Sequence, residues 1–279
     1  MMPGVRRSAG FRHRKSLGQH WLIDRSALCR IAAAADPGPD DTLIEVGAGT
    51  GLLTQLLAER AKRLIAVEVD HRLAERLRRE FSEARGVSVV EADILSVPVE
   101  EVLNRGAGGL PYVVAGNLPY FIGTAIVRKF LHAPVRPRWL LVTLQKEVAD
   151  SMTAAPGRMT YLSVETQMYA RAQILFRLPP RVFTPLPKVH SAVVRLDVLD
   201  TPEVEVDSRE AFLDLVHAGF AAPRKRVRNS LAIGLGVEPS QAGDLLQTAG
   251  IDPEKRPAEL ELADWKHLYF AYRRQAAPR

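Results

Sequence analysis

The sequence predicts a mixed α/β fold in which helices cover both faces of a parallel sheet and a small helical domain follows. Three observations indicate it. Apolar strand-like runs alternate with amphipathic helix-like runs from Thr42 onward, a glycine-rich turn joins the first pair, and the pattern becomes wholly helical after Ser208. We therefore expect a basic N-terminal arm over residues 1–19, a Rossmann-like domain over 20–203 and a C-terminal α-helical domain over 204–279.

The elements follow in a regular order. The opening helix, RSALCRIAAAA, has Asp24 or Ser26 as its predicted N-cap. The alternating runs after it are TLIEVG, LLTQLLAERA, RLIAVEV, HRLAERLRREF, VSVVEAD, PYVVA, the helix after Thr124, and RWLLVTL. Two β-rich runs, ARAQILFRL and SAVVRLDVL, flank a proline-rich segment and are predicted to close the sheet as an antiparallel edge pair. A linker over Asp200–Ser208 leads into the helical segments.

Composition and charge limit the function classes. With 47% hydrophobic and 25% charged residues, the chain has the composition of a globular protein, and its net charge is +6. Five cations and no acid lie in residues 1–19, and Arg224–Arg228 reads RKRVR, so a polyanionic partner is expected. The lone Cys29 gives no disulfide framework and no cysteine metal site, and we expect no metal. We see no membrane span and no signal-peptide core, and we expect a cytoplasmic monomer.

The stretch EVGAGTG, Glu45–Gly51, indicates the cofactor. It follows the first strand and opens a helix, which is where a nucleotide-binding sheet holds its ligand. Its glycines fall at 47, 49 and 51, which departs from the G-x-G-x-x-G spacing of dinucleotide sites. The G-x-G-x-G form is common where the ligand is S-adenosylmethionine, because glycine lets the backbone approach the methionine and ribose closely.

Acidic residues end the next two strands. Glu68 ends the second strand and is expected to accept both ribose hydroxyls, while Asp93 follows the third strand and is expected to accept from the adenine amino group. Any one strand-end acid could be a helix N-cap or a loop residue, but the glycine loop and both acids fall together at successive strand ends. The ordered set therefore predicts an S-adenosylmethionine site.

The stretch NLPY, Asn117–Tyr120, ends the fourth strand beside the predicted methyl donor. An adenine exocyclic amine is a poor nucleophile, since its lone pair is delocalised into the ring. The Asn117 side-chain oxygen and the Leu118 carbonyl are predicted to accept its two hydrogens, with Pro119 fixing the turn. Tyr120 is predicted to stack on a base rotated out of its helix. The sequence thus predicts methyl transfer to a flipped adenine without a general base.

These motifs resemble those of the ribosomal-RNA adenine N6,N6-dimethyltransferases of the KsgA type. The likeness runs from about Lys15 to the C-terminus and includes RKSLGQHWLID, LQKEVADSM, FTPLPKVHSAVVRL and RKRVRNSL besides the motifs above. The resemblance implies dimethylation of two adjacent adenosines in the 3′-terminal hairpin loop of 16S rRNA, within a pre-30S particle during small-subunit biogenesis. It implies that Phe183 stacks on the target base opposite Tyr120. It also implies cofactor contacts from His20, Leu22, Gly47, Glu68, Asp93 and Asn117.

The chain departs from the family pattern at three places. Position 20 is usually Asn and here is His, and the usual Asn-Ile-Ser-Thr after NLPY is replaced by Phe121, Ile122, Gly123 and Thr124. A Tyr-Gly-x-Leu-Ser element corresponds to Met159–Ser163, where Met159 and Thr160 replace Tyr and Gly. We expect these changes to affect the rim of the target pocket more than the chemistry.

Three other functions stay open on the sequence. One is the 23S rRNA adenine N6-methyltransferase type that confers macrolide resistance, which shares the cofactor motifs. Another is a non-catalytic nucleic-acid-binding descendant of the fold, which the intact site motifs disfavour. The third, a DNA adenine methyltransferase, would need a larger target-recognition domain.

The second basic cluster is predicted to contact RNA. The segment RKRVRNSL is predicted to be helical, and the helix places Arg224, Lys225 and Arg228 on one face, because residues three and four apart line up. Phosphate contacts from these three cations would hold the RNA without reading its sequence.

Overall fold

The computed structural model describes residues 20–276, which form nine strands and eleven α-helices. The strands are β1 Trp21–Leu22, β2 Thr42–Val46, β3 Arg63–Glu68, β4 Val87–Glu91, β5 Tyr112–Asn117, β6 Trp139–Gln145, β7 Ala170–Leu178, β8 Phe183–Thr184 and β9 Ser191–Val198. The helices are α1 Arg25–Ala34, α2 Leu52–Ala58, α3 His71–Glu80, α4 Val99–Arg105, α5 Gly123–His132, α6 Lys146–Met152, α7 Tyr161–Gln167, α8 Arg209–Gly219, α9 Val227–Leu235, α10 Pro239–Thr248 and α11 Leu262–Ala276. The predicted basic arm, residues 1–19, lies outside the described residues.

Seven strands form one sheet in the order β4-β3-β2-β5-β6-β9-β7. Strands β2 to β6 are parallel, with β2 hydrogen-bonded to β3 on one side and to β5 on the other. The strand order therefore reverses between β2 and β5, and α/β sheets bind their ligands at the carboxyl ends of the strands beside such a reversal. The predicted α/β class with a helical C-terminal region is confirmed.

The interior of the sheet explains why these runs become strands. Leu43, Ile44, Val113, Val114 and the other apolar residues of β2, β5 and β6 are almost wholly buried, as expected of parallel strands covered by helices on both faces. The two late β-rich runs, β7 and β9, lie side by side at one edge of the sheet, as predicted.

Local signals fix several helix ends. Asp24 is the N-cap of α1, and its carboxylate accepts a hydrogen bond of 2.8 Å from the Ala27 backbone N–H. Three helices, α4, α6 and α7, were not predicted. Each has only seven residues, which is two turns and too short for a clear helical period.

The chain divides into two compact units. One contains the chain up to Lys146 together with Ile174–Leu196, and the other contains Glu147–Gln173 and the chain from Asp197 onward. The predicted boundary at residues 203 and 204 differs from this division, which groups α7 with the C-terminal helices. Hydrogen bonds explain the grouping, because the Gly157 and Met159 backbone N–H groups both donate to the Ala258 carbonyl, at 2.7 and 3.2 Å.

A two-stranded sheet accompanies the large one. Strand β1 pairs antiparallel with β8, with Leu22 opposite Phe183 and Trp21 opposite Thr184. This pairing places the segment that precedes the first helix beside the segment that follows Pro179, and so fixes the position of His20. Among the described residues, no helix is long and apolar enough to cross a membrane.

Candidate active site

The glycine-rich loop between β2 and α2 has a backbone conformation that is strained for residues other than glycine. Gly47, Gly49 and Gly51 have φ values of 73°, 57° and 82°, in the left-handed region. The loop is tied to β3, since the Gly47 and Ala48 N–H groups both donate to the Val67 carbonyl. This conformation turns the chain sharply at the carboxyl end of β2, as the glycine spacing predicted.

Glu68, at the end of β3, holds the loop from the other side. Its Oε2 accepts from the Gly49 N–H at 2.8 Å, and its Oε1 accepts from the Val69 and Asp70 N–H groups at 3.0 and 2.9 Å. Burial raises the pKa of Glu68, and these three backbone hydrogen bonds act against that rise. A carboxylate has about four acceptor sites, so Glu68 retains about one, on Oε2. The bidentate contact with both ribose hydroxyls stays a prediction, and the remaining Oε2 site is the part of Glu68 that is open to a ligand donor.

Asp93 lies two residues after β4, is exposed to solvent, and stabilises the turn that follows the strand. Its Oδ1 accepts from the Leu95 N–H at 2.9 Å, and its Oδ2 accepts from the Ser96 hydroxyl at 3.1 Å. These bonds cap the turn that follows the strand. Because each oxygen accepts only one hydrogen, the carboxylate keeps capacity for a ligand amine.

Asn117, the last residue of β5, presents an acceptor without a partner. Its Nδ2 donates to the His20 carbonyl at 2.8 Å, which orients the amide. Its Oδ1 is buried and has no hydrogen-bond partner. A buried acceptor left unsatisfied costs about 1–3 kcal/mol, so this oxygen is suited to a ligand donor. The turn that follows brings Pro119 to the cavity and buries the Leu118 side chain, and the Ile122 N–H donates to the Pro119 carbonyl.

Tyr120 is half-buried and is held in place by two neighbours. Its hydroxyl shares a hydrogen bond of 2.6 Å with Ser191 Oγ. Its ring stacks on the His20 imidazole, with centroids 5.0 Å apart and planes inclined by 26°. His20 is itself anchored, because its Nδ1 donates to the Pro185 carbonyl at 2.7 Å. Burial raises the pKa of the Tyr120 hydroxyl, and the hydrogen bond to Ser191 partly opposes this, so the phenol is neutral near pH 7.

These strand ends enclose a cavity of about 100 Å³. Its polar lining comes from Glu68, Asp93, Asn117 and His20, and its apolar lining includes Val69 and other aliphatic side chains. Predicted residues that line it are His20, Gly47, Glu68, Asp93, Asn117, Leu118, Pro119 and Tyr120. An apolar slot with a few convergent acceptors fits an adenosine-containing ligand. The unpaired Asn117 oxygen can accept a hydrogen bond from a donor group of such a ligand.

Two predicted contacts lie elsewhere. Leu22 is buried and lines a smaller neighbouring cavity with Gly47 and Asn117. Phe183 is only 3% exposed, packs in the hydrophobic core and does not line the cavity. Pairing of β8 with β1 sets the Phe183 ring opposite Leu22 in the core, so the structure does not bring it to the cavity and its stacking role stays a prediction.

The departures from the family pattern have local explanations. Phe121 follows Tyr120 and is 84% exposed. Gly123 opens α5 where a Cβ would lie 2.8 Å from Leu144 Cδ2, so a larger residue requires Leu144 to shift. Met159 is buried and Thr160 forms a capping box with Ser163 at the start of α7, and neither lines the cavity.

The predicted helix face of three cations is wrong. Helix α9 begins only at Val227, so Arg224 and Lys225 lie in the preceding turn, where the Lys225 N–H donates to the Ala222 carbonyl. Arg228 is on the helix but is paired with Glu254 at 3.2 Å. The Val227 N–H donates to a distant carbonyl, that of Lys255, and this long-range bond sets the helix start. Arg224 and Lys225 are exposed.

Sequence reasoning missed three residues of the site. Trp21 has no role in the sequence analysis above, yet it lines both cavities and its indole lies 3.5 Å from where a Cβ on Gly49 would be. Ser191 holds the Tyr120 hydroxyl, but in the sequence it is an ordinary residue of the run SAVVRLDVL and nothing in that run signals the contact. Glu45 lines the smaller cavity. Its position directly before the glycines of the motif was the sequence signal that could have identified it. Among residues 20–276, no group of three or more potential ligands that could hold a metal is present.

Comparisons with known proteins place this site in a family. A family model described as "Ribosomal RNA adenine dimethylase" matches residues 10–272. A protein from Dehalococcoides mccartyi (strain BAV1), named "Ribosomal RNA small subunit methyltransferase A", is 40% identical over 93% of this chain and 88% of its own length. One of the same name from Geobacter metallireducens is 40% identical over 94% and 96%.

Solved structures show the same architecture. The structure titled "Crystal structure of 23S rRNA methyltransferase ErmE" has a TM-score of 0.69 and 30% identity, covering 90% of this chain and 98% of that one. A dimethyladenosine transferase from Plasmodium falciparum has a TM-score of 0.76 at 20% identity, with coverages of 92% and 98%, and supports the fold. With the family model spanning nearly the whole chain and the strand-end residues gathered at one cavity, the chain belongs to the ribosomal RNA adenine dimethylase family.

Proposed function

We propose that the chain uses S-adenosylmethionine to dimethylate, at N6, two adjacent adenosines in the 3′-terminal hairpin loop of 16S rRNA within a pre-30S particle. Membership of the family makes it an rRNA adenine dimethyltransferase. The small-subunit target is supported by relatives at about 40% identity that carry a small-subunit name over nearly their whole length.

Different cavity residues contact different parts of the cofactor. Glu68 accepts a ribose hydroxyl with its remaining Oε2 site, and Asp93 accepts from the adenine amine. The left-handed glycines keep the loop free of Cβ atoms beside the ligand. When bound, S-adenosylmethionine supplies an electrophilic methyl group on its sulfonium.

The unpaired Oδ1 of Asn117 is the observation that carries the chemistry. The hydrogen bond from Nδ2 to the His20 carbonyl fixes the amide so that its oxygen stays available as an acceptor. An adenine amine that donates to this oxygen, and to the Leu118 carbonyl, has its nitrogen drawn toward sp3 geometry and its lone pair exposed. A pre-oriented acceptor of this kind acts by positioning and charge stabilisation, so no general base is needed.

Tyr120 supplies the platform for the target base. Its ring already stacks on His20 through one face, and its hydroxyl is tied to Ser191, so the ring is fixed before substrate arrives. The base is expected on the opposite face of the ring. Stacking on an aromatic contributes about 1–3 kcal/mol per base. Without Phe183 in the cavity, Tyr120 is the aromatic that we propose for this contact.

The 23S rRNA methyltransferase ErmE, at 30% identity, keeps a large-subunit target as the second candidate. A non-catalytic descendant is the candidate of another class, and the unpaired Asn117 acceptor argues against it because a binding protein has no use for a buried unsatisfied group.

A side-by-side transfer assay tests the proposal. Radiolabelled methyl transfer to unmethylated 30S particles, large-subunit RNA and DNA should give label only in the first, with digestion to nucleosides releasing N6,N6-dimethyladenosine. The Asn117→Ala variant serves as the inactive control. Label in large-subunit RNA instead would establish the second candidate, and absence of transfer to every substrate would favour the non-catalytic one.

A further inference from the structure

Phe121 is the most exposed large apolar side chain among residues 20–276, at 84%. It follows Tyr120 directly and precedes Ile122, and both of these neighbours line the cavity of about 100 Å³, whereas Phe121 does not. Because consecutive Cα atoms are about 3.8 Å apart, the Phe121 backbone lies at the mouth of that cavity. The proposed chemistry uses the Tyr120 ring and leaves the Phe121 ring without a role.

The turn that carries Phe121 is anchored on both sides of the residue. On one side, the Ile122 N–H donates to the Pro119 carbonyl at 3.2 Å. On the other, Gly123 packs so closely against the sheet that a Cβ on it would lie 2.8 Å from Leu144 Cδ2. The exposed position of the Phe121 ring therefore follows from a backbone that is held in place.

A second exposed apolar side chain lies beside the same pair of stacked rings. Leu186 is 66% exposed, second only to Phe121 among the large apolar side chains of residues 20–276. It follows Pro185, whose carbonyl accepts from His20, and the His20 ring stacks on Tyr120. Single exposed apolar residues are ordinary, but the two most exposed ones next to one stacked pair indicate a contact surface.

The residues of this surface match a nucleotide. Lys188 is exposed two residues beyond Leu186, so a cation accompanies the aliphatic side chain. A nucleotide has an apolar base face and an anionic phosphate, and proteins bind unpaired RNA bases by stacking them on exposed aromatic side chains. The exposed Phe121 ring provides the stacking face, and Lys188 provides a charge that suits a phosphate.

We propose that Phe121 stacks on the base next to the target adenine and replaces the neighbour that this base loses when the target enters the cavity. This inference rests on the proposed function. Rotating one base out of a stack uncovers a face of the adjacent base, which costs free energy. Tyr120 holds the target base, and Phe121, one residue further along the same turn, covers the uncovered face at the rim. With two adjacent adenosines as targets, the base on Phe121 is the adenosine that is not being methylated, and Phe121 is a positioning residue for the pair.

Steady-state methyl transfer by the full chain to unmethylated 30S particles measures the effect. Stacking of one base on an aromatic side chain usually changes affinity by about fivefold to 150-fold. Phe121→Ala should lower kcat/KM for the particles by a factor in this range. Phe121→Tyr, which keeps an aromatic face, should stay within about twofold of the unaltered chain, whereas Phe121→Leu, which is apolar without such a face, should lose about fivefold or more.

Phe270 offers a matched control for the loss of an exposed phenylalanine. It lies on α11, is 39% exposed and does not line the cavity. Phe270→Ala should transfer methyl groups at the rate of the unaltered chain. Both alanine variants should bind S-adenosylhomocysteine with unchanged affinity in calorimetry, because neither ring lines the cavity, and this binding also shows that each variant is folded.

A fluorescent base reports the contact directly. The probe is an RNA hairpin with two adjacent loop adenosines, one of them replaced by 2-aminopurine, whose emission is quenched when it stacks. This base has no amino group at position 6, so it cannot be the target and takes the place of the neighbour. With S-adenosylhomocysteine bound, the unaltered chain and Phe121→Tyr should keep the probe quenched, whereas Phe121→Ala should leave it bright because its neighbour has left the stack.

The outcomes separate this inference from the proposed function. Full transfer by Phe121→Ala, or equal probe emission with Phe121→Ala and the unaltered chain, would overturn the stacking role and leave the proposed function intact. An equal loss of transfer in Phe270→Ala would overturn it as well. A dimer of the unaltered chain in sedimentation velocity that Phe121→Ala dissociates would instead assign the ring to an interface between copies. Absence of transfer to 30S particles by the unaltered chain would remove the proposed function, and this inference with it.

Discussion

Replacing Glu68 with alanine removes a carboxylate that serves both the glycine loop and the proposed ribose contact. Three backbone N–H groups, those of Gly49, Val69 and Asp70, lose their acceptor, and the remaining Oε2 site is lost to the ligand. A hydrogen bond to a charged group contributes about 1.5–3 kcal/mol. Loss of the single ligand bond should therefore weaken S-adenosylmethionine binding by about tenfold to 150-fold. Loosening of the loop at Gly49 acts in the same direction.

Glu91 offers a matched control for this change. It is the register partner of Glu68 on β4, it ends its strand at the same edge of the sheet, and it does not line the cavity. Its carboxylate is engaged by His71 and Arg78, which hold its pKa below the usual range. Glu91→Ala should therefore leave cofactor affinity within about twofold, because solvent screens these exposed ion pairs and the carboxylate does not line the cavity.

The assay is calorimetric titration of each variant with S-adenosylhomocysteine, preceded by a thermal melt followed by circular dichroism to establish that the variant is folded. A folded Glu68→Ala protein with unchanged affinity would refute the assignment of Glu68 to the ligand. Equal losses in the Glu68→Ala and Glu91→Ala proteins would show that the effect comes from the sheet edge and not from the carboxylate of the site.

Four further outcomes are expected. Asn117→Ala should slow single-turnover methyl transfer by about 100-fold to 1,000-fold, which is the usual effect of removing one oriented polar group from an active site. RNA affinity in a filter-binding assay should stay unchanged, because phosphate contacts dominate RNA binding. A parallel loss of RNA affinity would contradict the proposed role of Asn117. Tyr120→Phe should slow transfer far less than Tyr120→Ala, and equal losses would assign the role to the hydroxyl. Burial raises the pKa of Glu45 to about 8, so the folded chain keeps a proton there that the unfolded chain loses. Between pH 5 and 7, the free energy of unfolding measured in urea should therefore fall by about 1.4 kcal/mol for each unit that the pH rises, relative to Glu45→Gln. A pH-independent difference between the two proteins would contradict this. Changing Arg224 and Lys225 together to Ala should flatten the salt dependence of RNA binding by about 1.4 units of slope, at ~0.7 per contact, and an unchanged slope would make them ordinary surface.

The strand-end residues could be predicted because their position follows from a regular pattern. Gly47, Glu68, Asp93 and Asn117 each end or follow a buried apolar run, and parallel strands place such ends at one edge of a sheet. The hydrogen bonding of Glu68 was not predictable in this way. Three acceptor sites are filled by nearby backbone groups whose orientation depends on the left-handed glycines.

Long-range contacts account for what the sequence left undetermined. Strands β1 and β8 have two residues each, too few to show alternation, and their pairing decides that Phe183 faces the core. The start of α9 depends on the Lys255 carbonyl, which lies far along the chain from Val227. No local propensity signals either contact.

The tie between His20 and Pro185 has a consequence for biosynthesis. The two residues are separated by 165 positions, yet their hydrogen bond anchors the ring on which Tyr120 stacks. A ribosome translating this message completes the strand ends that bear the glycine loop, Glu68 and Asn117 well before it adds the segment that closes the pocket wall. Domains generally fold as units during synthesis, and long-range closures come late. A growing polypeptide thus completes the strand-end residues of the cavity early, and the Pro185 carbonyl that anchors His20 becomes available late. The Tyr120 ring, which we propose to stack on the target base, is therefore fully supported only after Pro185 has been added.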